Sequence, residues 1–271
     1  MEKERLLGVG HSQELVRYAN IILVELLGAK MNLLVLSIMS LLAGAATGVG
    51  GVLGVLFKPG ERSLVLGLGF SAGIMLGVTF LMLVLESLKA GFFLSFSGFI
   101  AGTLLFFLLD FILPHIHIVE SRNSFLRLGT LIAIGIAIHD LPEGFGIGMG
   151  YGVSEGMGIT LALAIILHNI PEGVAIAIPF NFSGMNKLRT ILISFGAGMS
   201  TLVGALAAFF LRGSVSEEFM YSGLAFAAGA MFYIAVNELI PEAHKYRNTR
   251  FTSLGVIAGV ITAFALTRVS G

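Results

Sequence analysis

Long runs of Leu, Ile, Val, Phe, Ala and Gly recur along this chain, and charged residues are largely confined to the gaps between them. A helix needs about 20 apolar residues to cross the hydrocarbon core of a bilayer. Eight runs meet that length, at roughly 33–57, 63–86, 91–113, 127–151, 156–180, 187–212, 217–242 and 251–268. Ahead of them, "HSQELVRYANIILVELLGAK" (11–30) is apolar on one side only and carries Glu14, Arg17, Asn20 and Glu25. That pattern predicts a peripheral amphipathic helix within residues 1–32, not a ninth span. Connections are short, so residues 33–271 are expected to form one transmembrane domain of an all-α polytopic membrane protein.

Two of the eight runs are interrupted in the same way. The fourth reads "IAIGIAIHDLPEGFGIG" (132–148) and the fifth "LALAIILHNIPEGVAIA" (161–177), with the histidines 29 residues apart. His139 and Glu143 are four apart and share one helix face, as do His168 and Glu172. The turn between the spans centres on Val153 and Ser154, so an antiparallel hairpin brings both motifs to the same depth. Pro142 and Pro171 lack an N–H, which leaves the carbonyls of Ile138 and Leu167 without their helical donors. Both helices are therefore expected to break there, with Gly144 and Gly173 keeping that side open, as in discontinuous transporter helices.

Composition agrees with burial in lipid. Of 271 residues, 56% are hydrophobic and 12% charged, against about 25% charged in soluble domains, and the mean hydropathy is +0.95. Net charge is zero, which argues against a nucleic-acid partner. With no cysteine there is no disulfide, thiolate ligand or thiol nucleophile. "MEKERLLGVG" lacks the features of a signal peptide. No GxxxxGK[ST] occurs, so no ATP motor is expected.

Lys and Arg place the loops. The odd-numbered loops and their borders hold Lys58, Arg62, Arg122, Arg127, Lys187, Arg189, Lys245, Arg247 and Arg250, the even ones only Lys89 and Arg212. Odd loops are therefore expected in the cytoplasm and both termini outside, although Lys3, Arg5, Arg17 and Lys30 pull the other way. Gly44 and Gly48, and Gly69, Gly73 and Gly77, have the small-residue spacing that lets helices approach closely in lipid.

One intramembrane His–Glu pair could merely tie two helices together, though ionisable residues there more often mark a functional site. Two copies at matched depth, each with a proline, read as a metal site. Imidazole suits zinc, iron and nickel, and carboxylate extends the range toward manganese. Acidic groups at the bilayer centre cost about 2.5–3.5 kcal/mol or more each, a cost that a bound cation offsets. Asp110 with His115 and His117 after the third span, and Asn237, Glu238, Glu242 and His244 at the end of the seventh, could line a path on one side. Glu86 stands toward the other, and Met75 offers a thioether in mid-span.

"HDLPEG", "HNIPEG", "LLDFILPHIH" (108–117) and "NELIPEAH" (237–244), set among eight spans, resemble the ZIP family of metal transporters, most closely its prokaryotic GufA- and ZupT-like branch. The resemblance covers residues 33–268. It implies uptake of Zn²⁺, and often Fe²⁺, Mn²⁺ or Cd²⁺, across the cell's plasma (inner) membrane into the cytoplasm. It implies a metal site of His139, Glu143, His168 and Glu172, joined by Met75, and a second metal held by Asp140 and Asn169 with Glu143 and Glu172 bridging. It also implies movement of spans 1, 4, 5 and 6 against 2, 3, 7 and 8 in an elevator-like cycle, and often a homodimer. Where relatives carry glutamate in the sixth span, "MSTLVGA" (199–205) has Thr201, so one strong metal site and a weak or absent second one are expected.

A metal-selective channel or a sensor would use the same ligands and stays open. An intramembrane zinc hydrolase is disfavoured, because the chain has no HExxH and its two motif histidines lie on different spans. No enzymatic activity, no catalytic residue and no resident cofactor are expected. The partners expected are the transported ions and membrane lipid.

Overall fold

The computed structural model describes residues 32–112, 123–212, 214–245 and 249–268. Eight helices in it are long and apolar enough to cross a membrane: α1 (Asn32–Phe57), α2 (Glu61–Ala90), α3 (Phe92–Ile112), α4 (Ser124–Val153), α5 (Glu155–Phe182), α6 (Lys187–Arg212), α7 (Glu217–His244) and α8 (Thr249–Leu266). They follow the eight apolar runs within a few residues at each end. The N-terminal segment, His115 and His117 lie outside the described residues.

Helix ends follow local chemistry. The Asn123 side chain accepts from the amides of Phe125 and Leu126, each at 3.1 Å, and opens α4. Ser154, the single residue between α4 and α5, accepts from the amide of Met157 at 3.2 Å. Such caps satisfy amides that have no partner within the helix. Gly91, at φ 90°, separates α2 from α3 in a conformation that costs glycine little and other residues more.

The helices form two groups. In one, α2 packs along α8 and α3 along α7, with α7 also against α2. In the other, α4 packs along α6 and α5, while α1 meets α6 at Gly44–Gly198 and α5 at Gly50–Gly173. Glycine makes these crossings close. A Cβ at Gly69 or Gly73 would run into the backbone of α8, at Thr252 or Val256, and one at Gly77 into Ala263. A Cβ at Gly144 would overlap the Thr201 carbonyl, and one at Gly173 the Thr47 carbonyl. Close packing of this kind is the main source of helix association in lipid, where apolar side chains gain nothing by leaving the solvent.

Two expectations are corrected here. Gly144 and Gly173 do not hold the proline side open; they are where α6 and α1 sit against α4 and α5. Nor do α4 and α5 break at Pro142 and Pro171, since helix continues on both sides of each proline. The irregular turns lie elsewhere, as π-helical segments at Thr79–Val84 in α2 and Ala235–Leu239 in α7. A proline removes one hydrogen bond and can be absorbed when neighbouring helices pack tightly around it.

The groups meet along a seam where α2 contacts α5 and α4 contacts α7. Polar side chains add ties inside each group and across the seam. Asn169 and Asn181 of α5 donate to the carbonyls of Ala43 and Gly54 on α1, at 3.0 and 2.9 Å. Across the seam, Ser71 of α2 donates to the His168 carbonyl at 2.8 Å.

Candidate metal centre

The hairpin of α4 and α5 sets both motifs at one depth, and their side chains cross. His139 Nε2 lies 3.2 Å from Glu172 Oε2, and His168 Nε2 lies 3.0 Å from Glu143 Oε1. All four residues are buried, as are Asp140 and Asn169. His139 Nε2 is also 3.5 Å from Asp140 Oδ1. His139, Asp140 and Glu143 each place one ligand atom within 4.8 Å of the others.

Hydrogen-bond accounting shows what the cluster lacks. His168 Nδ1 lies 3.0 Å from the Ala164 carbonyl, which can only accept, so Nδ1 carries the hydrogen. A neutral His168 then turns the lone pair of Nε2 toward the Glu143 carboxylate. In that form two acceptors face each other, a conflict that either a second ring proton or a metal ion at this position resolves. Second-sphere bonds of this type fix the tautomer of metal-binding histidines. His139 Nδ1, both Asp140 oxygens, Glu143 Oε2, Glu172 Oε1, Asn169 Oδ1 and Thr201 Oγ1 are buried with no hydrogen-bond partner. Buried groups left unsatisfied cost about 1–3 kcal/mol each, more when charged.

The spacing suits a small divalent ion. Zinc at about 2.0 Å from nitrogen and oxygen in tetrahedral geometry sets its ligands roughly 3.3 Å apart. The crossed pairs, at 3.0 and 3.2 Å, are close to that separation. Met75 is fully buried and one helical turn from Ser71, whose hydroxyl binds the His168 carbonyl. On the α6 side, Thr201 lies beside Asp140 and supplies a neutral hydroxyl.

A cavity of about 660 Å³ runs from His139 and Glu172 along the seam to Asp110, Asn237, Glu238, Glu242 and Lys245. It reaches the surface among the ends of α3 and α7, on the odd-loop face. Its far wall is polar and its near wall, from α4 and α5, apolar, with Leu131, Ile132, Ala175 and Ile178. Asp110 accepts from Tyr233 Oη and Asn237 Nδ2, both at 2.9 Å. Glu238 Oε2 stands 3.8 Å from His139 Nδ1 and thus joins the cavity wall to the buried cluster.

The remaining expected residues fall apart from this set. His244, at the end of α7, is not part of the cavity wall and turns its Nδ1 to the Ile240 carbonyl at 2.7 Å. Glu86 sits toward the opposite face in an ion pair with Lys89. Ser71 and Tyr233 join these contacts without belonging to any of the motifs. Tyr233 stands four residues before Asn237 on α7, a spacing that could have drawn attention to it; Ser71 carries no such signal.

Known proteins resemble this chain over most of its length. The family model described as ZIP Zinc transporter matches residues 117–267. Zinc transporter ZupT of Chlorobaculum parvum is 34% identical over 249 residues, covering 82% of this chain and 92% of the relative. ZupT of Lysinibacillus sphaericus is 33% identical over 256 residues, covering 84% and 95%. ZupT of Salmonella newport is 37% identical over 239 residues, covering 82% and 92%.

Proposed function

This chain belongs to the ZIP zinc transporter family, and from that premise we propose that it takes up Zn²⁺, with Fe²⁺, Mn²⁺ and Cd²⁺ as further substrates, into the cytoplasm. The observation that carries the reading is the pair of crossed His–Glu contacts between α4 and α5 at the head of a cavity that leads to one face. In this reading His139, Glu143, His168 and Glu172 hold the ion, and Met75 adds a thioether. His168 is oriented by its bond to Ala164. Borderline ions suit such mixed nitrogen, oxygen and sulfur donors.

Release follows the cavity. An ion leaving His139 meets Glu238, then the wall that holds Asp110, Asn237 and Glu242. The excess of Lys and Arg on the odd loops supports a cytoplasmic assignment of this face, with both termini outside. The conformation is then inward-open, and the two helix groups are the bodies that slide past each other along the seam. The N-terminal segment is assigned to the membrane surface, and a homodimer is the proposed assembly. Asp140 and Asn169 would form a second site with the bridging glutamates, but Thr201 withholds a carboxylate from it, so one metal is bound strongly.

Uptake into proteoliposomes tests the reading. Saturable accumulation of Zn²⁺ without ohmic conductance in planar bilayers is the expected result. Conductance that rises linearly with voltage would establish a channel in its place.

A further inference from the structure

On the even-loop face a second cavity, of about 330 Å³, opens on the same seam. Its walls come from both helix groups: Met82, Glu86 and Lys89 of α2 and Tyr221 of α7 on one side, Ser154 and Met157 of the α4–α5 hairpin on the other. Met82 and Met157 are 6% and 5% exposed, so their side chains sit at its inner end and not on its rim. At the rim, Glu86 pairs with Lys89 and Tyr221 donates to Glu217 at 3.1 Å.

The two methionines stand in line with the metal centre. Met157 precedes His168 by 11 residues, three turns of α5, which puts them on one helix face about 16 Å apart along the axis. Met82 follows Met75 by seven residues on α2, inside the π-helical segment Thr79–Val84. Between them lie Val78, Thr79, Leu161 and Ile165, all essentially inaccessible. The seam is thus sealed beneath Met82 and Met157, while its other end is open down to His139 and Glu172.

We infer that Met82 and Met157 form a thioether capture site at the outer mouth, where a soft or borderline cation such as Cd²⁺ or Zn²⁺ binds before the seam opens inward. This rests on the transport reading above and adds to it an entry site. A thioether is uncharged and cannot be protonated, so it binds without a proton to displace. It favours soft cations over Mg²⁺ or Ca²⁺, which demand oxygen. Glu86 at the rim is paired with Lys89, so the methionine pair behind it does the sorting. Because one methionine belongs to each helix group, separation of the groups takes the pair apart and releases the ion toward His168 and Met75.

The test is Cd²⁺ uptake by proteoliposomes carrying Met82→Leu/Met157→Leu, a replacement that nearly conserves volume. The expected result is a rise of about tenfold in KM for Cd²⁺ with kcat unchanged, as two soft donors are lost from capture alone. Each single replacement, gentler on packing, is expected to raise KM by about threefold on the same reasoning. A KM within twofold of wild type, or a loss confined to kcat, would overturn the capture site while leaving transport intact. Absence of both Zn²⁺ and Cd²⁺ uptake by the wild-type protein would overturn the transport reading, and the capture site with it; uptake of Zn²⁺ without Cd²⁺ would overturn the capture site alone.

Discussion

His168 Nε2 on α5 lies 3.0 Å from Glu143 Oε1 on α4, while its Nδ1 faces the Ala164 carbonyl at 3.0 Å. The backbone contact places a hydrogen on Nδ1, so Nε2 is the nitrogen left to face the carboxylate. The same exchange between helices joins His139 to Glu172 at 3.2 Å. Each motif histidine therefore meets the glutamate of the other helix.

Metal stoichiometry follows from Thr201. Its hydroxyl lies beside Asp140 where a carboxylate would give a second ion another charge. Anomalous scattering from zinc-loaded crystals is expected to show one fully occupied ion. Thr201→Glu is expected to add a second ion about 4 Å away, the usual spacing of two-metal sites. Two full sites in the wild-type protein would contradict the role given to Thr201.

The packing role of Gly144 predicts a stability loss. A methyl group there meets the Thr201 carbonyl, which is backbone and cannot rotate aside. Overpacking of this kind costs about 1–3 kcal/mol. Gly144→Ala is expected to lower the melting temperature of the detergent-solubilised protein. Gly135→Ala, where a Cβ meets nothing within 4 Å, is the control expected to leave it unchanged.

Access can be read with thiols, because the chain has no cysteine of its own. Ala175→Cys lines the large cavity and is expected to react with a membrane-impermeant thiol reagent from the odd-loop face only. Leu161→Cys, at 1% exposure between the two cavities, is expected to stay protected in this conformation. Equal labelling of Ala175→Cys from both faces would contradict a one-sided opening.

Much of this was legible in the chain. Eight apolar runs gave eight helices because length and hydropathy govern insertion in lipid. The equal depth of the two motifs followed from counting residues to Ser154. What periodicity could not reveal was tertiary. A glycine after a proline reads as an opening, yet Gly144 and Gly173 are contact points, since only their neighbours on α6 and α1 decide which. The π-helical turn of α2 carries no proline, whereas that of α7 is where Pro241, a break expected from the sequence, withholds a donor from the Asn237 carbonyl. Ser71 is an ordinary serine until α5 is laid against it.

Uptake of labelled Zn²⁺ by proteoliposomes, comparing wild type with His139→Ala and Glu172→Ala, tests the central claim most directly. These two residues form one crossed pair at the head of the cavity. The account predicts saturable uptake by the wild type and none above background in either variant, with both variants inserted at normal levels. Undiminished uptake in both variants would contradict it.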